Sequence, residues 1–105
     1  MNRLTPESVR ELFAEVGATP IQGRWDNQDG TACCVLGALS KRYGQRSVSL
    51  YDIAEKRGTS YDYLLGVLCG WDGQRDTSDL LTPGRRHEWS LGYADGKAAW
   101  EAMGA

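Results

Sequence analysis

Among 105 residues the chain has a single histidine, a single phenylalanine, three prolines and three cysteines. Each scarcity removes a class of function. One histidine leaves most acid–base and metal chemistry without its usual participant. Three cysteines, two of them adjacent (Cys33 and Cys34) and the third alone (Cys69), are no disulfide framework. The thiols therefore read as reduced, and the expected location is cytoplasmic. No apolar run approaches the ~20 residues that span a bilayer. Residues 1–7 lack the apolar stretch of a signal peptide, so no membrane role is expected. Positive charge is also short: twelve Lys and Arg stand against fourteen Asp and Glu, a formal net charge of −2. Phosphate binding draws its affinity from a basic surface, so nucleic acid is disfavoured as a partner.

Glycine and tryptophan, in contrast, are plentiful, with thirteen Gly and four Trp. The length corresponds to one domain over residues 1–105, able to bury roughly 65% of its unfolded surface. The C-terminal part is the acidic one. From residue 59 onward there are four basic side chains (Arg75, Arg85, Arg86, Lys97) and seven acidic ones (Asp62, Asp72, Asp76, Asp79, Glu88, Asp95, Glu101).

Helix signals dominate. Thr5 is a good N-cap, Pro6 suits the first helical position, and Glu7 complements the dipole. Leu4 and Val9 are placed as a hydrophobic staple. Val9, Leu12, Phe13 and Val16 share a face, and Gly17 stops the helix. Residues 18–30 read as a loop with room for a short strand over Ile21–Trp25, paired near Ser47–Leu50. Thr31 is expected to open a second helix that carries Val35, Leu36 and Leu39 inward and ends through Lys41 and Arg42 at Gly44. Ser49 caps a third helix that runs to Arg57, with Asp52 as its capping-box partner and Gly58 as its stop. A fourth helix starts at Thr59 or Ser60 and runs from Tyr61 to about Trp71. It is apolar on most sides, as a central buried helix is. A polar loop over 72–82 leads to Thr82-Pro83 and a last helix, which sets Trp89, Gly92, Tyr93, Gly96, Trp100 and Met103 on one stripe. Gly66-x-x-x-Gly70 and Gly92-x-x-x-Gly96 give the last two helices side-chain-free strips, where they are expected to approach closely. The fold class is all-α: a compact bundle of about five helices, with a minor two-stranded β element allowed.

Chemistry finds little support. Cys33 and Cys34 near a helix start would have somewhat acidified thiols, but His87, the one candidate base, is far along the chain. The flanking Ala32, Gly37 and Ala38 favour tight packing of those thiols. A cysteine-dependent enzyme is therefore the weakest reading. Zinc needs four Cys or His at paired spacings, which are absent. If Gly30 were the sharp-turn glycine of a calcium loop, its first and twelfth positions would be Trp25 and Leu36, neither a ligand. No phosphate-cradling glycine loop and no Ser-centred elbow is present. No catalytic residue, metal or cofactor is assigned.

Residues 50–69 resemble a helix-turn-helix. Ala54, Gly58 and Leu64 match that family's small residue, turn glycine and core apolar residue, and Ile53 and Val67 fit its core positions. The resemblance implies a DNA-binding regulator contacting DNA through Lys56, Arg57, Ser60, Tyr61 and Tyr63. The would-be reading helix, however, carries Asp62 and no Lys or Arg. A broader likeness runs through Gly23, Trp25, Asp29, Gly30, the run Cys33-Cys34-x-x-Gly37-Ala38-Leu39, and Gly92-Tyr93-x-Asp95-Gly96-x-Ala98-Ala99. In these residues the chain is similar to small uncharacterised proteins of bacteria and their phages. That likeness implies an accessory protein without catalytic residues. The leading expectation is accordingly a non-enzymatic binder of a protein partner, such as a component of a host's defence or transcription apparatus. Its contact surfaces are expected at Arg24, Trp25, Asp26 and Asp29, with Trp25 as anchor, and at Asp72, Asp76 and Asp79. The oligomeric state is left open.

Overall fold

The computed structural model describes residues 2–24, 31–43 and 49–103. Local chemistry at the chain's punctuation sets the first helix, α1 (Pro6–Val16). The Thr5 hydroxyl accepts from the Ser8 N–H at 3.1 Å, and the Thr5 N–H donates to the Ser8 hydroxyl at 2.9 Å. This is a capping box with Ser in place of the usual Glu. Gly17, at φ 68°, closes the helix in the left-handed conformation that costs a glycine little. Leu4 and Val9 are both buried, as a staple requires.

After α1 the chain departs from expectation. The β element lies at β1 (Thr19–Pro20), not at Ile21–Trp25, and it pairs in parallel with β2 (Ala32–Cys33), not with residues near Ser47–Leu50. The ladder runs through Thr19 N–H to Thr31 O at 2.8 Å and Ile21 N–H to Cys33 O at 3.0 Å. Pro20 falls between the two donors, so its missing N–H costs the ladder nothing. Because Ala32 and Cys33 are committed to this pairing, helix α2 (Val35–Arg42) cannot start at Thr31. Cys34 caps it instead, extended at ψ 174°. Lys41 and Arg42 close it as expected; Gly44, its expected stop, lies outside the described residues.

Helix α3 (Leu50–Arg57) is capped by the Ser49 hydroxyl, which accepts from the Asp52 N–H at 3.2 Å. It ends at Gly58 in a Schellman arrangement, with Thr59 N–H to Ala54 O at 2.9 Å and Gly58 N–H to Glu55 O at 3.2 Å. Two residues later Ser60 caps α4 (Tyr61–Trp71). Helix α5 (Pro83–Met103) opens on Thr82, whose carbonyl accepts from the N–H groups of Arg85 and Arg86.

α4 and α5 form the main helix pair, and glycines set its closeness. A Cβ on Gly66 would collide with the backbone at Trp89 and Tyr93, and one on Gly70 with Tyr93 and Lys97. From the other side, Gly92 faces the backbone at Tyr63 and Val67, and Gly96 faces Val67 and Trp71. Residue numbers rise together along both helices, so the two run parallel and residues 72–82 must carry the chain back between them. At these four glycines the space a side chain would need is taken by the backbone of the facing helix, so the contact is built largely from backbone.

The core gathers around this pair. Trp71 is fully buried, stacked on Phe13 with ring centroids 5.6 Å apart and edge-on to Trp100 at 5.2 Å. Val9, Leu12, Cys33, Cys34, Leu36, Leu39, Ile53 and Leu64 are among the buried residues around it. Among the described residues the architecture is all-α with one two-stranded parallel element, and no helix is long and apolar enough to cross a membrane.

Candidate functional site

Residues 72–82 turn from α4 back to the start of α5, and their acids fall into two groups. Asp72 ends α4 half-buried, and its carboxylate accepts the Gly23 N–H at 2.9 Å. Beside it Gln22 Nε2 donates to Trp71 O at 2.7 Å, and Trp71 Nε1 donates to Ile21 O at 2.7 Å. The segment leading to Arg24 is thereby fixed against the end of α4. Two stretches that the sequence singled out separately thus meet at Gly23 and Asp72. Arg24 is exposed, and its carbonyl accepts from the Cys34 N–H at 3.2 Å. Trp25, Asp26 and Asp29 lie outside the described residues.

Asp76 and Asp79 belong to the outer part of the connection and are exposed. The Asp76 carboxylate accepts the Ser78 N–H at 2.9 Å, and this bond holds its pKa below the usual carboxylate range. Asp79 sits in a 3-10 turn over Ser78–Leu80. Long side chains from α5 brace the whole connection. Tyr93 Oη donates to Gln74 O at 2.6 Å, Arg86 Nε to Ser78 O at 2.9 Å, and Arg86 Nη2 to Leu81 O at 2.9 Å. On this braced turn Leu80 is 74% exposed. The sequence placed it in the polar loop over 72–82, but only the acids of that loop were singled out there.

The residues singled out through the helix-turn-helix resemblance fare differently from one another. Lys56 is exposed, with Nζ 5.6 Å from the centre of the Tyr43 ring. Arg57 is half-buried and donates to Asn2 O at 3.2 Å. The Ser60 hydroxyl accepts from the Tyr63 N–H as the cap of α4. Tyr61 stacks on Tyr51, with ring centroids 4.3 Å apart. Tyr63 is completely buried: its hydroxyl accepts from the Leu4 N–H at 2.7 Å and donates to Asp95 at 2.6 Å. Asp95 in turn takes a two-pronged contact from Arg3, at 2.8 and 2.9 Å. The residues of α4 are buried or half-buried, with Tyr61, Asp62, Leu65, Leu68 and Cys69 as its partly exposed positions.

Cys33 and Cys34 are core residues. The Cys34 sulfur accepts the Gly37 N–H at 3.5 Å as the cap of α2, and burial pushes its thiol up, away from a thiolate. Burial also pushes the half-buried Cys69 thiol up. His87 is exposed near the start of α5. Among the described residues, no group of three His, Cys, Asp or Glu side chains is placed to hold a metal ion. No protein family, curated protein or solved structure matches the chain.

Proposed function

We propose that this chain is a non-enzymatic accessory protein of phage or mobile-element type. It binds a basic protein surface in a host's defence or transcription machinery, such as the nucleic-acid groove of an enzyme. The observation that carries this reading is Leu80, held 74% exposed on a turn braced by Tyr93 and Arg86. A lone exposed leucine is ordinary on any protein surface. One whose flanking backbone is tied to α5 through the carbonyls of Gln74, Ser78 and Leu81 is less so, because part of the cost of ordering the segment is met before any partner arrives. Asp76 and Asp79 flank it and supply a negative rim that steers a positive partner. A nucleic-acid partner is disfavoured by the net charge of −2 and by the acidic character of this connection.

Capture from a bacterial host lysate by the tagged full chain tests the reading. The expected result is a specific basic protein, retained at low salt and released as ionic strength rises. Leu80→Ala should weaken retention roughly tenfold, the scale of an interface anchor. Asp79→Asn should reduce the salt sensitivity while leaving the fold intact. Failure to recover any specific protein, or retention indifferent to both substitutions, overturns the proposal.

A further inference from the structure

A groove of about 470 Å³ lies between the N-terminal arm, the end of α2 and the end of α3. Asn2, Arg3, Tyr43, Lys56 and Arg57 line it. The groove is shallow and open to solvent, unlike the enclosing clefts of most small-molecule sites, and its wall is cationic rather than apolar. The Arg3 charge is already met by Asp95. Those of Lys56 and Arg57 are not: the ion pairs among the described residues are Arg3–Asp95, Arg42–Glu15 and Arg85–Asp62.

Two further observations bear on what the groove accepts. Among the described residues the Nε of Arg57 has no hydrogen-bond partner, but it is closed off from solvent, so the guanidinium can offer the groove only its Nη groups, one of which already donates to Asn2 O. The carbonyl of Arg57, at the negative end of α3, is occupied by Asn2 Nδ2 at 2.7 Å. The helix terminus that would repel an anion is thus partly covered by a neutral donor. A guanidinium edge, an ammonium and a tyrosine ring around one open groove suit an oxyanion that carries a larger group.

The geometry points to a binding site for a small phosphate-bearing molecule in this groove, with Lys56 and Arg57 as the anion-holding residues and Tyr43 as the wall beside the remainder. The site is separate from the acidic connection and does not depend on the reading given to it. One open groove with two cations that have no ion pair among the described residues suits one phosphate or diphosphate group. A nucleic-acid duplex needs a longer basic track.

Titration of the full chain with pyrophosphate, followed by amide and side-chain NMR at constant ionic strength, tests the assignment. Saturable shifts should centre on Asn2, Arg3, Tyr43, Lys56 and Arg57, and sodium chloride at the same ionic strength should not reproduce them. Arg57→Gln and Lys56→Gln should each weaken binding roughly tenfold or more, the loss of one charge-assisted hydrogen bond. Lys97→Gln, on the exposed side of α5, should leave it unchanged. Because Arg57 also bonds Asn2, Lys56→Gln provides the arm free of that structural contact, and the same spectra report whether each variant is folded. Shifts that rise without saturating, that spread evenly over exposed cations such as Arg24 and Lys97, or that persist in both variants overturn the proposal. So does a short DNA duplex that moves these residues when pyrophosphate does not.

Discussion

Tyr63 does more for this molecule than its place on a hairpin resembling a DNA-binding unit suggests. Its hydroxyl is the only hydrogen-bond acceptor described for the buried Leu4 N–H, and it hands its own proton to Asp95. Tyr63→Phe leaves that amide without a partner. The expected loss is about 1–3 kcal/mol at neutral pH, measured by urea unfolding. The pH dependence has a definite sign. Burial, with Asp95 beside it, pushes the phenol well above its ordinary value. The unfolded chain therefore releases this proton from about pH 10 upward while the folded chain keeps it. The stability that Tyr63 confers is whole below that pH and shrinks above it. The wild type should lose stability faster than the Phe variant as pH rises past 10, and parallel curves for the two would contradict this. Cys34, also pushed up by burial, adds an alkaline slope that both proteins share. None of this network was visible in the sequence, because its members are 59 and 92 residues apart along the chain.

Elements were legible where their ends are decided locally. Thr5-Pro6 with Gly17, Ser49 with Gly58, and Ser60 before Tyr61 each fix a boundary through hydrogen bonds that span only a few residues. The start of α2 was misplaced because its competitor is distant: a two-residue strand has no alternation to read, and its partner is at Thr19–Pro20. The paired Gly-x-x-x-Gly strips did announce a close approach. What they cannot announce is direction, and the two helices are parallel. Gly96→Ala gives the sharpest test of that contact. A Cβ there would lie 2.9 Å from the carbonyl carbon of Val67 and from Trp71 N, which are backbone atoms that cannot rotate aside. Alanine adds about 1 kcal/mol of helix propensity, but overpacking against a rigid backbone costs about 3 kcal/mol or more. A net loss of about 2 kcal/mol is expected in denaturant unfolding. An unchanged midpoint would mean that the helices are farther apart than described.

At the scale of the whole molecule, the all-α class and the central, buried place of α4 followed from composition and pattern, since a helix apolar on most sides has nowhere else to sit. The surface did not follow. That Leu80 is left outside while Leu81 is half-buried depends on how Arg86 and Tyr93 reach across from α5, and no local rule encodes that reach. The parallel glycine contact has one more consequence, for the order in which the chain assembles. Only residues 72–82 separate its two halves, so closing it costs little loop entropy, whereas the N-terminal arm must find Tyr63 and Asp95 across most of the chain. The α4–α5 pair is therefore expected in the folding nucleus, and the arm should dock after the barrier. In stopped-flow chevrons, Gly96→Ala should mainly slow folding and Tyr63→Phe mainly quicken unfolding. The opposite partition would place the nucleus at the N-terminal arm.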